Sequence, residues 1–369
     1  MRLSLPRVAI VAPTLDILGG QSVLARQMQD DLRREGYPVR FVPVNPRLWT
    51  PFRWVRRVPI LRTIVNQLLY LPGLLRLARA DVVHAFSASY WSFLLAPAPA
   101  LLAGRLLGKR TVLNYHSGEA DDHLGRWGRL VHPWLRLADE IVVPSQYLAG
   151  VFARYGYPAR VIPNAADLSG YSYRERHPLG RNLISVRNLE PHYRVEVIVR
   201  AFATVHEEFP DAMLTVIGAG SEALRLRRLA ADLHLHHIRF IGRVEPREMP
   251  QLYDEADVFV NASVVDNQPV SILEAFAAGV PVITTPTGDI AAMVRDGETG
   301  VIVRESDPAA FAEAILALLQ DEPRALRLAR RAHDDLWRYD WRAVSRLWRD
   351  VYAGTPWARP AAQPRPLAQ

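Results

Sequence analysis

Two carboxylates around the start of a predicted helix have the clearest potential for chemistry in this sequence. Asp266 and Glu274 stand at the two ends of the run DNQPVSILE. Pro269 suits a first helical turn, where a missing N–H costs nothing, and Gly279 suits the helix end. Such a helix start offers unpaired N–H groups and a positive dipole end, which favour a diphosphate. Glu274 can then accept hydrogen bonds from a ribose and Asp266 can hold a sugar hydroxyl, which outlines a nucleotide-sugar site.

Further polar and glycine residues follow predicted strands. Arg187 follows the strand 183–186, and its planar guanidinium suits phosphate oxygens. Gly218 and Gly220 follow the strand 213–217, where glycines let the backbone approach a ligand closely. Because open parallel sheets bind ligands at the carboxyl ends of their strands, these positions can share one site with the two carboxylates.

The spacing of the two acids resembles the carboxylate–seven residues–carboxylate pattern of retaining glycosyltransferases with the GT-B fold, glycosyltransferase family 4. Asp266 stands where the family usually has Glu, and Glu274 matches the second carboxylate. The resemblance covers nearly the whole chain and is strongest from about 183 to 303. It implies an α/β fold of two Rossmann-like domains that face each other across a cleft, with a C-terminal helix crossing back to the first domain.

The resemblance also implies roles for individual residues. Arg187 matches an Arg that grips the donor diphosphate, and Arg194 is the candidate substitute for a family Lys that this chain lacks. His116 stands where relatives carry a His close to the donor sugar, so the catalytic candidates are His116, Asp266 and Arg187. The implied donor-binding residues are Gly19, Gly20, Arg194, Gly218, Gly220, Gly242, Asn267, Gln268, Pro269, Val270, Ser271 and Glu274.

Each of these positions also has a plainer interpretation. The two acids can be solvated residues of an ordinary amphipathic helix, and Arg187 and Arg194 can be solvated arginines. Gly19 and Gly20 can form a simple turn, and a lone histidine at a strand end, such as His116, is more often structural. Several motifs in the family's order, each at a strand end, are far more specific than any one of them, and they favour the site.

The composition excludes several kinds of chemistry. The chain has no cysteine, so disulfides, thiolate metal sites and cysteine nucleophiles are absent. No HExxH or similarly spaced cluster occurs, so no metal is expected. The formal net charge is +7 and comes almost entirely from arginine, since Lys109 is the single lysine. No nucleic-acid-binding motif accompanies that charge, so a polyanionic small substrate or an anionic lipid is the more natural partner.

Strands alternate with helices through both halves of the chain, which predicts two parallel sheets of Rossmann type. The expected domains are an acceptor-side domain over 1–165 and a nucleotide-sugar domain over 180–335. Residues 336–354 are the expected crossover helix, and 355–369 the expected disordered tail. The segment 158–180, rich in Pro, Gly, Ser and Arg, is the predicted hinge. The site is expected in the cleft between the domains.

We expect neither a secretory signal nor a transmembrane helix. Val8–Ala12 is too short for the apolar part of a signal and is typical of a buried strand. Residues 85–104 are uncharged, but their serines and prolines favour a strand end followed by a buried helix. Arg47–Arg79 interleaves aromatic residues with arginines, which suits an anionic membrane surface. A loop and a core-packed helix with snorkelling arginines is an equal alternative.

The preferred hypothesis is a retaining, metal-independent glycosyltransferase of cell-envelope or polysaccharide biosynthesis. Its expected partners are a nucleotide-sugar donor, most simply a UDP-sugar, and a glycan or lipid-linked acceptor; nucleic acid is not expected. The expected location is the cytoplasm, with peripheral attachment to the inner face of the plasma membrane if the basic segment binds lipid. The alternatives are a GT-B sugar-nucleotide epimerase, a phosphorylase, against which the single lysine argues, and a non-catalytic nucleotide-sugar binder or scaffold.

Overall fold

The predicted alternation of strands and helices is present in the structure. This structure is a computed structural model, and it describes residues 5–14, 20–46 and 59–357. The chain forms two α/β units, each built on a six-stranded sheet whose paired strands are all parallel. The fold class is therefore α/β with two Rossmann-like units, as the sequence predicts.

The first unit takes the chain up to Ala165 and again from Trp341, and the second unit takes Ala166–Asp340. In the first sheet the strand order is β2-β1-β3-β4-β5-β6. Its strands are β1 Val8–Ala12, β2 Val39–Pro43, β3 Val82–Ser87, β4 Arg110–Tyr115, β5 Glu140–Val143 and β6 Arg160–Val161. Its helices are α1 Gly20–Arg34, α2 Pro59–Gly73, α3 Trp91–Leu95, α4 Pro97–Leu106, α5 Ala120–Arg126, α6 Gly128–Leu135 and α7 Gln146–Arg154.

Strand β1 shows why these apolar runs form central strands. All five of its residues are buried. Val8, Ile10 and Ala12 contribute to one apolar cluster, while Ala9 and Val11 contribute to another. Successive side chains of a strand point to opposite faces of the sheet, so a continuous apolar run is satisfied only when both faces are covered.

The second unit repeats this arrangement with the strand order β12-β11-β10-β7-β8-β9. Its strands are β7 Asn182–Val186, β8 Met213–Ile217, β9 Ile238–Gly242, β10 Val258–Asn261, β11 Val282–Thr284 and β12 Val301–Ile302. Its helices are α8 Val195–Glu208, α9 Ala223–Asp232, α10 Met249–Asp254, α11 Val270–Ala277, α12 Ile290–Met293, α13 Pro308–Leu319 and α14 Glu322–Asp334. Adjacent β7 residues Leu183 and Ile184 belong to different clusters, so this sheet is also buried on both faces.

The last helix of the chain, α15 Trp341–Ala353, belongs to the first unit. Its residues Val344 and Trp348 pack in the same apolar cluster as Val8 of β1. The hydroxyl of Tyr352 lies 2.9 Å from Nδ1 of the buried His84 in β3. A buried polar pair therefore fixes this amphipathic helix to the sheet in addition to apolar packing.

The segment predicted as a hinge, 158–180, is divided between the units. Its first part supplies β6 to the edge of the first sheet. Its second part packs in the second unit, where the buried Arg176 donates to the carbonyl oxygens of Ala256, Ala278 and Tyr253 at 2.6, 2.6 and 2.8 Å. The second unit thus begins before the predicted limit of 180. Composition alone suggests a linker here, but Arg176 anchors the segment to the rest of this unit.

Residues 85–104 form the end of β3 followed by α3 and α4, in line with the strand-and-helix interpretation. None of the helices in the described ranges is long and apolar enough to cross a membrane. The arginine- and aromatic-rich residues 47–58 lie outside the described part of the chain, as do 358–369 of the predicted disordered tail.

Candidate functional site

Arg187 and Asp266, both predicted site residues, meet in the second unit. Arg187 follows β7, and its Nη2 forms an ion pair with the Asp266 carboxylate. Its Nε donates to Oδ1 of Asn261, the last residue of the neighbouring strand β10, at 3.3 Å. The two charged side chains are only 12% and 10% exposed. The ends of two adjacent strands therefore hold a desolvated cation beside a desolvated carboxylate.

The start of α11 lies directly after this pair. Asp266 Oδ1 accepts from the backbone N–H of Asn267 at 2.9 Å, and Asn267 and Gln268 are buried. Helix α11 begins at Val270, and Pro269 before it is the N-cap residue. A proline side chain cannot accept a hydrogen bond, so it caps none of the first N–H groups of the helix. Ser271 in the first turn is buried, and within the described residues its Oγ has no hydrogen-bond partner. The helix start therefore keeps donor capacity that a ligand oxygen can use.

Glu274 lies in the second turn of α11 and is held by tyrosines. The Tyr253 hydroxyl of α10 lies 2.9 Å from Glu274 Oε2, and the Tyr171 hydroxyl also hydrogen-bonds to Glu274. Burial raises the pKa of Glu274, while these two hydrogen bonds and the charge of Arg187 oppose that rise. The second carboxylate of the motif is thus half-buried and oriented, whereas the plainer interpretation predicts a solvated acid.

The glycines after β8 serve a close backbone approach within the protein. Gly218 has a φ of +141°, and a Cβ there would lie 1.8 Å from the carbonyl oxygen of Arg187. A Cβ on Gly220 would lie 2.3 Å from the carbonyl oxygen of Leu189. Gly242 ends β9, and its carbonyl oxygen accepts from the Gly218 N–H at 2.8 Å. Gly218 and Gly220 thus let the loop that carries Arg187 pack closely, and their predicted approach to a ligand stays a prediction.

Arg194 is not joined to the Arg187–Asp266 pair. It adopts a left-handed backbone conformation at the N-cap of α8. Its Nε donates to Glu196 Oε1 of the same helix at 2.6 Å, and its side chain is 40% exposed. The residue that contacts Arg187 from this part of the chain is instead Tyr193, whose ring centroid lies 5.2 Å from the Arg187 guanidinium carbon.

The remaining predicted residues belong to the first unit. His116 follows β4 and stacks on Phe86 with ring centroids 5.3 Å apart. Burial lowers its pKa to about 4, and its Nε2 has no hydrogen-bond partner in the described parts of the chain. A neutral imidazole of this kind can bind a hydroxyl. Gly20 is the first residue of α1, and Gly19 lies outside the described residues.

The described residues contain no group of three or more His, Asp or Glu side chains placed to hold a metal ion. The sequence reasoning missed three residues that contact the site: Tyr171, Tyr253 and Asn261. Asn261 gave a usable signal, since it is a polar residue at the end of a buried strand. The tyrosines gave none, because each is an isolated aromatic residue far from the motif in sequence.

Comparisons with known proteins identify the family of this chain. The family model described as Glycosyl transferases group 1 matches residues 175–335, and the model described as Glycosyltransferase Family 4 matches 18–169. The chain is 27% identical to the phosphatidyl-myo-inositol mannosyltransferase of Mycobacterium leprae, over 94% of this chain and 96% of that protein.

Solved structures with the same fold include the HepE protein of Anabaena in complex with UDP and glucose. It has a TM-score of 0.73 and 16% identity, and the match covers 95% of this chain and 100% of that one. Sucrose-phosphate synthase from Thermosynechococcus elongatus has a TM-score of 0.71 and 19% identity over the same shares. The fold is therefore that of GT-B glycosyltransferases, and the chain belongs to glycosyltransferase family 4.

Proposed function

We propose that this chain transfers a sugar from a nucleotide-sugar to a hydroxyl of a glycan or lipid-linked acceptor, with retention of configuration and without a metal. The observation that carries the proposal is the joint placement of Arg187, Asp266 and Glu274 around the start of α11. A departing diphosphate needs fixed positive charge and donors more than it needs a strong base. The complex of HepE with UDP and glucose supports a UDP-sugar as donor.

In the proposed reaction the bond between the anomeric carbon and the diphosphate oxygen breaks. The acceptor oxygen forms its bond on the same face of the sugar, and its proton passes to a donor phosphate oxygen. Arg187 and the N–H groups at the start of α11 stabilise the charge on the diphosphate. Asp266 and His116 orient the sugar, and Glu274 accepts hydrogen bonds from the ribose.

Titration calorimetry with UDP, GDP and ADP, in the presence and absence of EDTA, tests the donor half of this proposal. We expect one nucleotide to bind with unchanged affinity in EDTA, and Glu274→Ala to weaken it at least tenfold. Glu248→Ala removes an exposed carboxylate of the same unit and is the matched control. Binding of none of the nucleotides would contradict the proposal. Conversion of a UDP-sugar into a different UDP-sugar in the absence of any acceptor would instead indicate an epimerase.

We also propose that the acceptor is presented by an anionic membrane to which the first unit binds. Helix α2 and the 3₁₀ helix Leu74–Arg79 that follows it carry exposed apolar residues at intervals of three or four, which place those of α2 on one face. These are Ile60, Ile64, Leu68, Leu71 and Leu75, with exposed fractions of 76%, 52%, 67%, 48% and 77%. Residues 59–79 contain three arginines and no acid. An outward apolar stripe beside cations suits a lipid headgroup region.

Polar residues on another side of α2 line a cavity of about 390 Å³. Arg62, Asn66 and Gln67 contribute guanidinium and amide groups to it. The helix thus has polar groups at the cavity and the buried Tyr70 against the apolar core, while most of its exposed apolar side chains lie on the outward face. A polar lipid headgroup in the cavity, with its chains in the bilayer, satisfies both faces. The phosphatidyl-myo-inositol mannosyltransferase relative supports a lipid acceptor.

Co-sedimentation with lipid vesicles tests the proposed membrane binding. The vesicles contain phosphatidylcholine alone or phosphatidylcholine with about 30% phosphatidylglycerol, which makes their surface anionic. We expect binding to the anionic vesicles and its loss in the triple variant Ile64→Gln, Leu68→Gln, Leu71→Gln. Leu224→Gln, at an equally exposed leucine of the second unit, is the matched control. Equal sedimentation of the triple variant and the wild type would contradict a role for α2.

A further inference from the structure

Two tyrosines from separate parts of the second unit meet at the Glu274 carboxylate. Tyr253 lies on α10 and is fully buried. Its hydroxyl is 2.9 Å from Glu274 Oε2 and 2.9 Å from the Ser271 carbonyl oxygen. Because one hydroxyl hydrogen faces two acceptors, Tyr253 ties the carboxylate to the backbone of the first turn of α11.

Tyr171 reaches the same carboxylate from the segment that precedes β7. Its hydroxyl hydrogen-bonds to Glu274, and its ring contacts that of Tyr253 edge-on, with centroids 5.7 Å apart. Burial raises the pKa of both phenols, so at neutral pH each keeps its hydrogen to donate. The carboxylate therefore receives two neutral donors, and Arg187 is the cation whose charge acts on it.

These two bonds restrict how Glu274 can receive a ligand. A carboxylate has about four lone-pair positions, and a free glutamate side chain loses up to ~2 kcal/mol of rotamer entropy when it becomes ordered. Two phenols occupy part of its acceptor capacity and fix its plane before a ligand arrives. The remaining acceptor positions point in set directions, which suits a rigid vicinal diol better than a single hydroxyl.

We propose that Tyr171 and Tyr253 are positioning residues that aim Glu274 at the ribose diol of the donor and so set the preference for ribonucleotides over deoxyribonucleotides. This inference rests on the proposed function, because it needs a nucleotide in the site. It assigns a task to the segment 166–179, which supplies one of the two donors.

A Tyr→Phe substitution separates positioning from packing, because it keeps the ring and removes only the hydroxyl. The rings of Tyr253 and Phe259 are stacked in the apolar core of this unit, so ring loss would disturb the fold. Tyr339 is buried in the same apolar cluster, and Tyr339→Phe is the matched control. Melting temperatures of the variants report whether each is folded.

The test measures the affinities of UDP and 2′-deoxy-UDP by calorimetry for the wild type, Tyr253→Phe, Tyr171→Phe, the double variant and the control. We expect the wild type to prefer UDP at least tenfold. Each single variant should reduce that preference at least threefold, with little change for 2′-deoxy-UDP, and the control should not. Equal losses for both nucleotides, or no loss, would overturn the positioning role while leaving the proposed function intact. A wild type that binds neither nucleotide would overturn the proposed function itself.

Discussion

Arg187 and Asp266 form an ion pair in which both side chains are nearly buried. The cation proposed to bind the donor diphosphate is therefore already neutralised in the free protein. Breaking a buried ion pair leaves an uncompensated charge, so an incoming diphosphate has to compete with the Asp266 carboxylate for Arg187. Donor binding and release of Asp266 from Arg187 are then one event, which leaves Asp266 free to contact the sugar.

Replacing Asp266 by Asn should separate nucleotide binding from sugar transfer. Asp266→Asn leaves Arg187 charged and without its carboxylate, so a diphosphate gains more from binding. We expect UDP affinity to rise about three- to tenfold, which corresponds to ~0.7–1.4 kcal/mol, while transfer falls at least a hundredfold. Calorimetry and a radiolabelled-sugar transfer assay measure the two quantities.

Asp266→Glu is the control for that experiment, since it keeps the charge and introduces the residue that the family usually has. UDP affinity should stay within about twofold of the wild type, because the ion pair can re-form. If Asp266→Asn weakens UDP binding as much as it weakens transfer, the carboxylate does not compete with the diphosphate for Arg187.

Arg187 and Arg194 should contribute unequally to nucleotide binding. Arg194 is paired with Glu196 and partly exposed, whereas Arg187 is buried beside the start of α11. We expect Arg187→Ala to lower UDP affinity at least tenfold and Arg194→Ala less than threefold, because an exposed pair is screened by solvent. Equal losses in calorimetry would show that Arg194 does replace the family's Lys, by leaving Glu196 when the donor binds.

Gly218 should be far less tolerant of a side chain than Gly242. Both have positive φ, but a Cβ on Gly218 would lie 1.8 Å from the Arg187 carbonyl oxygen, whereas a Cβ on Gly242 meets nothing within 4 Å. Gly242→Ala should cost about 1–2 kcal/mol from backbone strain alone. Gly218→Ala should cost more and should also weaken UDP binding, since the loop that carries Arg187 must move. Urea unfolding and calorimetry compare the two variants, and equal effects would contradict this role.

Much of the fold follows from local sequence. Ser145 predicts the start of α7, and its Oγ accepts from the N–H of Leu148 at 3.1 Å. Helix α13 begins at Pro308 in the same way, because the Asp307 side chain accepts from the N–H of Ala310. Buried apolar runs predict the central strands, since only a fully covered sheet satisfies them. The short edge strand β6 was missed, because two residues carry no periodic pattern.

The site was predictable only where a motif is continuous in sequence. Asp266 and Glu274 belong to one run around one helix start, so their placement follows from the helix. The tyrosine contacts to Glu274 were not predictable, because Tyr171 and Tyr253 come from elements whose positions depend on tertiary packing. The order of the segment around the buried Arg176 was not predictable for the same reason: three of its four carbonyl partners lie far away in sequence.

The buried histidines of the first unit predict a loss of stability in acid. Asn114 Nδ2 lies 3.0 Å from Nε2 of His84 and donates to it, so Nδ1 carries the hydrogen that faces Tyr352. Burial lowers the pKa of His84 to about 3 and that of His123 to about 4. A second proton on His84 would face the donor group of Asn114, so the neutral form alone fits the site.

Because these folded-state pKa values lie below the ordinary histidine value of about 6.5, the unfolded chain takes up protons that the folded chain excludes. The stabilisation is complete above that ordinary value and is lost as the pH falls from about 6.5 toward 4. Each histidine should lower the free energy of unfolding by ~1.4 kcal/mol per pH unit in that window.

Urea unfolding between pH 7.5 and 5, monitored by near-ultraviolet circular dichroism, should show this slope. His84→Gln should reduce this slope by ~1.4 kcal/mol per pH unit, which corresponds to one proton. His236 is exposed, so His236→Gln should leave the slope unchanged. An unchanged slope in His84→Gln would mean that acid acts on the protein through other groups.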